Sequence, residues 1–185
     1  MKSITGAVLI GGKSSRFGED KYSYQINGKT MLQHQLLLLE SCFEKVLISS
    51  SDKNKVELSR NVVLDRYSDL GPISGIYTLL NSVGADSLFV LSCDVFGVNK
   101  ELVKDLCSEI EKYDCVILEN KGRLEPLISC YNKTMLSVFK QSIKEGDYKL
   151  LNSIKKSNFK VLKRENIEIF NINYKEDLKQ LNGSV

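Results

Sequence analysis

An apolar strand that runs directly into a glycine-rich, basic loop is the feature of this sequence that most restricts its fold. The apolar run 8–10 is followed by Gly11-Gly12, and the loop then carries Arg16 and Lys21. Glycines let backbone N–H groups approach an anion without an intervening Cβ, and the two cations neutralise its charge. The pattern predicts a phosphate-binding loop at the end of the first strand. A plain surface turn is the alternative, because glycine and serine pairs are also typical of turns.

The spacing of this loop matches neither of two common nucleotide-binding fingerprints. A Walker A loop has four residues between its glycines and then Gly-Lys-Ser/Thr, and a dinucleotide-binding loop has Gly-x-Gly-x-x-Gly. The loop of this chain has neither arrangement. We therefore expect a third type of nucleotide loop, which is longer and more basic.

Apolar runs alternate with helical periods along the rest of the chain. Strands are predicted at Ile4–Ile10, Lys45–Ser49, Val62–Leu64, Leu88–Leu91, Cys115–Leu118 and Leu127–Tyr131, with short ones near Val161 and Ile169. Helices are predicted at Met31–Leu39, Pro72–Val83, Lys100–Lys112, Lys133–Lys144, Lys149–Ser157 and Lys175–Leu181. This βαβ alternation predicts an α/β fold, a Rossmann-like three-layer sandwich with a mainly parallel sheet. Residues 1–185 contain no repeat or linker, so we expect a single domain.

Charge and cysteine content restrict the partners and the compartment. The 26 basic and 23 acidic residues leave a formal net charge of +3, which is too small to indicate nucleic-acid or membrane binding by itself. Five widely spaced cysteines without a Cys-x-x-Cys pair are typical of reduced core thiols. The sequence has neither a recognisable signal peptide nor an apolar run of membrane length. We therefore expect a cytoplasmic protein.

Two aspartates follow later strands, at the edge of the sheet where the glycine loop begins. Asp65 follows the run 62–64 and Asp94 follows the run 88–93. Ligands of open α/β sheets bind beyond the carboxyl ends of the strands, and Mg²⁺ favours one or two carboxylates together with phosphate oxygens and water. Asp94 is the stronger metal candidate, because a charge after so apolar a strand is costly without a partner. Either aspartate taken alone also fits a helix cap or a turn.

The motifs of this chain occur in the order found in one enzyme family. Residues 9–21 resemble the Leu-Ala-Gly-Gly…Arg-Met-Gly…Asp-Lys signature of molybdenum cofactor guanylyltransferases. Later motifs of that family are similar to Asp65 with Gly71-Pro72-Ile73-Ser74-Gly75-Ile76, to Ser92-Cys93-Asp94, to Glu125-Pro126-Leu127 and to Asn171-Ile172-Asn173. The first motif alone indicates the broader nucleotidyltransferase superfamily, and the later ones favour the cofactor branch.

The resemblance implies a fold of the nucleotide-diphospho-sugar transferase type and a specific reaction. GMP would pass from GTP to the terminal phosphate of molybdopterin, and pyrophosphate would be released. The implied site has catalytic residues Arg16, Lys21 and Asp94, a metal ligand Asp94 for Mg²⁺, and nucleotide-binding residues Leu9, Ile10, Gly11, Gly12, Lys21, Ser49, Asp65 and Asp94. Cofactor-delivery or acceptor proteins would be transient partners.

Departures from the family pattern leave alternatives open. Ile10 stands where the family has alanine, which predicts a tighter base pocket, and Ser49 stands where relatives often have asparagine. A related enzyme that transfers a cytidylyl group to the cofactor or activates a sugar phosphate is one alternative, and a non-catalytic nucleotide-binding module is another. Gly11 favours GTP as the substrate. Cytidylyltransferase relatives typically carry alanine at this position, and its methyl group would approach guanine, the larger of the two bases.

Overall fold

The computed structural model describes residues 3–11, 17, 20–52, 61–82 and 84–181. The strands are β1 (Ile4–Leu9), β2 (Gln25–Ile26), β3 (Lys29–Thr30), β4 (Val46–Ser50), β5 (Val62–Leu64), β6 (Ser87–Ser92), β7 (Val95–Phe96), β8 (Cys115–Asn120), β9 (Arg123–Asn132), β10 (Phe159–Lys163) and β11 (Phe170–Asn171). The helices are α1 (Met31–Glu40), α2 (Pro72–Ser82), α3 (Lys100–Ser108), α4 (Met135–Lys144) and α5 (Leu150–Lys155). Short 3-10 helices cover Lys21–Ser23 and Lys175–Leu181.

A seven-stranded sheet in the order β10-β8-β9-β6-β1-β4-β5 forms the centre of the fold. β9 runs antiparallel to β6 and β8, whereas the other neighbouring strands pair in parallel. The reversal follows from the tight turn at Lys121-Gly122, where both residues have positive φ and join β8 to β9 as a hairpin. The predicted mainly parallel sheet is therefore confirmed. The antiparallel hairpin of β8 and β9 was not predicted from the sequence.

Helices cover both faces of this sheet and make it a three-layer sandwich, as predicted. Ala7 and Leu9 point from β1 into a core shared with α2, α4 and α5, whereas Val8 and Ile10 point into a core shared with α1 and α3. Central parallel strands covered on both faces are apolar at consecutive positions. This explains why β1 and β6 appear in the sequence as continuous apolar runs.

Small elements at the rim of the sheet depart from the predictions. β7 pairs antiparallel with β11, and β2 with β3, in two separate two-stranded sheets. The predicted last helix is a 3-10 helix, and the predicted strand near Ile169 lies at Phe170–Asn171. Two-residue pairings are too short to give an apolar period, so the sequence pattern could not identify β2, β3 or β7.

Two predicted properties of the chain can be compared with the described residues. No disulfide links any of the five cysteines, of which Cys93, Cys115 and Cys130 are buried and Cys42 and Cys107 are partly exposed. No helix within the described ranges combines the length and the apolar character needed to cross a membrane.

Candidate active site

The register of the parallel strands brings several predicted site residues to one edge of the sheet. Leu9, the last residue of β1, pairs with Ser49 on β4 and with Ser92 on β6. Asp65 follows β5, and its backbone N–H donates to the Ser50 carbonyl at 2.8 Å. The first part of the glycine loop therefore lies level with both aspartate-bearing strands. The predicted residues Gly12 and Arg16 lie outside the described residues, and their roles remain predictions.

The first group at this edge is centred on the Lys21 ammonium. Its Nζ lies 2.9 Å from Asp94 Oδ2 and donates to Asn173 Oδ1, also at 2.9 Å. The other carboxylate oxygen of Asp94 accepts from Ser92 Oγ at 2.6 Å. Lys21 and Asp94 are 15% and 21% exposed, so solvent weakens their attraction less than it weakens that of a fully exposed pair. The structure thus joins two predicted catalytic residues that are 73 positions apart in the sequence.

The second group places a carboxylate over the first turns of α2. Ser49 Oγ donates to Asp65 Oδ1, and both side chains lie against Gly75. A Cβ at Gly75 would overlap Ser49 Oγ and lie 3.3 and 3.4 Å from the Asp65 carboxylate oxygens. Burial raises the pKa of Asp65 above its ordinary 3.8, and the Ser49 hydrogen bond lowers it in part. The missing side chain of Gly75 is therefore what makes room for this pair.

Hydroxyl groups of α2 fix the loop that carries Asp65. Ser74 Oγ accepts from the Tyr67 N–H at 3.1 Å and donates to the Tyr67 carbonyl at 2.7 Å. Thr78 Oγ1 accepts from the Arg66 N–H at 2.9 Å. Because these bonds satisfy backbone groups next to Asp65, the loop keeps one conformation relative to the helix.

A cavity of about 870 Å³ adjoins the second group and reaches the first group at Ser92. Its lining includes Leu9, Gly11, Ser49, Asp65 and Ser92. Its size and its mixture of backbone, apolar and carboxylate surface are typical of a small-molecule site. The cavity therefore lies where the sequence predicted nucleotide binding.

The side chain of Ile10 does not have the effect on this cavity that the sequence predicted. We expected its side chain to tighten the base pocket, but that side chain is 4% exposed and packs into the core beside α1 and α3. The expectation was wrong because successive side chains of a strand point to opposite faces of the sheet. Its backbone N–H donates to the Ser49 carbonyl at 3.0 Å and so keeps β1 and β4 in register beyond Leu9.

A second hollow of about 520 Å³ lies beside the cavity and shares Leu127 with it. Glu125, Pro126 and Asn171 also line it, so it includes two of the motifs noted in the sequence. Burial raises the pKa of Glu125, an effect that nearby Arg123 opposes. The two openings together provide adjoining spaces for two small molecules.

Asp94 is the residue of this site whose chemistry fits a divalent cation. Within the described ranges, no three or more His, Cys, Asp or Glu side chains form a group able to hold a metal. A single carboxylate suits Mg²⁺ when phosphate oxygens and water complete its coordination. Asp94 meets this requirement, because its carboxylate is oriented by Ser92 next to the cavity.

Three residues of the site were not among those predicted. Asn173 belongs to a motif noted in the sequence, but its contact with Lys21 could not be inferred there. Ser92 and Gly75 are the other two: Ser92 orients Asp94 of its own motif, and Gly75 makes room for Asp65, which precedes it in the chain. In the sequence, the signal that could have identified these three residues was their position within the motifs described above.

Comparisons with known proteins agree with this geometry. The description "MobA-like NTP transferase domain" belongs to a family model that matches residues 6–160. A Thermococcus sibiricus protein named as a probable molybdenum cofactor guanylyltransferase is 34% identical over 196 residues, covering 98% of this chain and 99% of the relative. A Pyrococcus furiosus protein of the same name is 36% identical over 192 residues, with 96% of each chain covered.

A solved structure is similar over almost the same length. It is the molybdopterin-guanine dinucleotide biosynthesis protein A from Archaeoglobus fulgidus, which is 25% identical to this chain. The TM-score is 0.82, and 95% of each chain is covered. The similarity therefore extends over nearly the whole fold.

We expect Gly75→Ala to weaken binding of a nucleoside triphosphate about 10-fold or more, because the new methyl group must displace Ser49 or Asp65. Gly84→Ala is the matched control, since a Cβ at Gly84 meets nothing within 4 Å. Titration calorimetry with GTP measures the affinity, and circular dichroism checks the fold. Equal affinity in the two variants would show that the close approach at Gly75 has no effect on binding.

We expect Asp65→Asn to become more stable relative to the unchanged protein as pH rises from about 4 to about 8. The pKa of Asp65 is raised in the folded state, so the unfolded chain loses this proton first as the pH rises. The stability of the unchanged protein therefore falls over this range. Asparagine does not ionise, so the variant does not lose stability in this way. Asp147→Asn should show the opposite trend in a lower range, and become less stable relative to the unchanged protein as pH rises from about 2 to about 5, because hydrogen bonding by Asn152 lowers the pKa of Asp147 below its ordinary 3.8. Melting temperatures measured from about pH 2 to about pH 8 test both signs, and parallel curves for all three proteins would contradict them.

Proposed function

The chain belongs to the family of MobA-like NTP transferase domains, and from this premise we propose that it transfers GMP from GTP to the terminal phosphate of molybdopterin. The observation that carries the proposal is the Lys21–Asp94 pair beside a cavity lined by Leu9, Gly11 and Asp65. This arrangement provides a cation, a metal-binding carboxylate and a nucleoside-sized space at one sheet edge. The product would be the guanine dinucleotide form of the cofactor.

The reaction requires alignment and charge stabilisation from the protein. A terminal phosphate oxygen of molybdopterin attacks the α-phosphorus of GTP, and the bond from that phosphorus to the oxygen bridging to the β-phosphate breaks. Pyrophosphate leaves with the bond's electron pair. Enzymes of this type hold the reacting groups in line and neutralise the negative charge that develops on the phosphates. In our proposal Lys21, together with Arg16 of the glycine loop, supplies the positive charge.

We propose that Asp94 holds Mg²⁺ in the working enzyme. A bound Mg²⁺ would neutralise phosphate charge and help the pyrophosphate to leave. Ser92 orients one Asp94 oxygen and Lys21 contacts the other, so the carboxylate is fixed before the nucleotide binds. Pre-set orientation of this kind reduces the reorganisation required during the reaction.

We propose that the base end of GTP lies beside Asp65. Guanine carries an N–H and an NH₂ group next to each other, and a carboxylate accepts hydrogen bonds from both. Ser49 binds one Asp65 oxygen and so fixes the plane of the carboxylate. The backbone of Leu9, Ile10, Gly11 and Gly12 would contact the base from the side of β1.

The adjoining hollow offers a space for the second substrate. It shares Leu127 with the nucleotide cavity and is bordered by Glu125, Pro126 and Asn171. Molybdopterin bound there would approach the α-phosphate from the side of Asp94.

We further propose one domain over residues 1–185, a cytoplasmic location, and transient contacts with proteins that deliver or accept the cofactor.

We expect Lys21→Ala and Asp94→Asn to lower turnover about 100-fold or more, because each removes a charge that faces the reacting phosphates. Both proteins should fold, since neither side chain belongs to the apolar core. Lys160→Ala is the control: it removes a 2.6 Å ion pair with Glu109 at the far edge of the sheet and should keep normal turnover. Pyrophosphate release with and without Mg²⁺ measures the effect, and full activity in both site variants would remove the pair from the mechanism.

We expect the unchanged protein to prefer GTP over CTP, and Gly11→Ala to narrow that preference. A Cβ at Gly11 meets only Ser51 Oγ at 3.8 Å among the described residues, so alanine fits the fold but projects a methyl group into the cavity. One misplaced methyl group changes discrimination by roughly 10- to 200-fold. Competition between the two nucleotides for transfer onto molybdopterin tests this. Preference for CTP in the unchanged protein would support a cytidylyltransferase instead.

A further inference from the structure

We propose that Gln35 is a positioning residue for the reaction, which holds the backbone that carries Asp94 in place from within α1. The inference rests on the proposed role of Asp94 as the metal-binding carboxylate. Gln35 is 4% exposed, and its Nε2 donates to the Val95 carbonyl at 2.7 Å. Val95 directly follows Asp94, so this bond fixes the Val95–Phe96 peptide, which lies one residue beyond the proposed metal ligand.

The segment that Gln35 holds lies outside the main sheet. β6 ends at Ser92, and after a turn the chain forms β7, which pairs with β11. Here Val95 pairs with Asn171, and the Ile172 N–H donates to the Asp94 carbonyl at 2.9 Å. A two-stranded ribbon of this length is marginally stable alone, so its position depends on what packs against it.

This ribbon carries partners of the Lys21 ammonium on both of its strands. Asp94 precedes β7 and Asn173 follows β11, and each accepts a hydrogen bond from Lys21 at 2.9 Å. A shift of the ribbon would therefore move both acceptors together relative to the nucleotide cavity. Gln35 restrains that shift from α1, and the ring of His34 packs edge-on against Phe96, with 5.7 Å between centroids, on the same ribbon.

Gln35 is a polar side chain at a buried position of α1. Gln35 lies in the helix that packs Leu32 and Leu39 into the core, where an apolar residue would add buried surface. The amide instead bonds one carbonyl, and that carbonyl belongs to the residue after Asp94. Buried polar groups matched in this way fix a single arrangement of the groups around them.

A double-mutant cycle with Asp94 tests the proposal. Gln35→Met keeps the side-chain length without the donor, and we expect it to lower kcat for GMP transfer about 10- to 100-fold with a smaller change in the KM for GTP. In the Asp94→Asn background the same substitution should cause a much smaller loss, because the main group that Gln35 positions has already been disabled. GTP affinity without metal, measured by calorimetry, should stay normal in Gln35→Met, because Asp65 and its neighbours are undisturbed.

Asn132→Leu is the matched control. Asn132 is also a buried amide, which donates to the Ile110 carbonyl at 3.3 Å, but it pairs with Ser87 at the opposite end of β6. We expect this variant to lose melting temperature and keep kcat, and to combine additively with Asp94→Asn. If Gln35→Met does not fold, Gln35→Asn, which keeps the amide but shortens its reach, is used in the same cycle.

The outcomes separate this inference from the proposed function. Losses that add in the Gln35–Asp94 cycle, or a normal kcat in a folded Gln35 variant, would overturn the positioning role and leave the guanylyltransferase proposal standing. Full activity of Asp94→Asn would instead overturn the proposed site, and the inference with it.

Discussion

The parallel register of β1 with β4 and β6 is the constraint on which the rest of the site depends. Because Leu9 lies opposite both Ser49 and Ser92, three segments distant in sequence leave the sheet at one level. Strands pair through regularly spaced hydrogen bonds, and a slip by one residue would turn every core side chain to the wrong face. The same apolar packing that stabilises the fold therefore also sets the level at which the chain leaves the sheet before Asp94 and beside Ser49, the partner of Asp65.

Two different kinds of support hold the two aspartates of this edge. Asp65 sits over a helix that lacks a side chain at Gly75, and its raised pKa reflects the burial that this close fit imposes. Asp94 instead belongs to a turn that leads out of the sheet, and it depends on Lys21 and on a short ribbon for its orientation. In the proposed binding mode, close packing would hold the nucleoside end in a fixed position, and polar contacts would leave the phosphate end able to exchange partners.

Much of the architecture could be predicted from apolar periodicity, because a strand buried on both faces leaves a continuous apolar run. Val62–Leu64 was predicted with its observed bounds, and the main helices were found within a few residues of theirs. The strands on either side of Lys121-Gly122 were predicted but their hairpin connection was not, and β7 was missed because a two-residue strand has no apolar period. Similarly, Ser49, Asp65, Lys21 and Asp94 were predicted as site residues, but Gln35 was not, because its only mark in the sequence is a polar residue among leucines.

From the sequence alone we could identify the chemical groups suited to binding a nucleotide: a glycine loop with cations, and carboxylates placed after apolar strands. These patterns involve residues that are close together in the chain, so they can be recognised without a structure. The tertiary structure alone decided how the groups pair, with Lys21 bound to Asp94 and Asn173, and Ser49 bound to Asp65. It also decided that Ile10 faces the core and not the cavity. The physical reason is that these contacts depend on strand order and register, which fix spatial neighbours that no sequence spacing records.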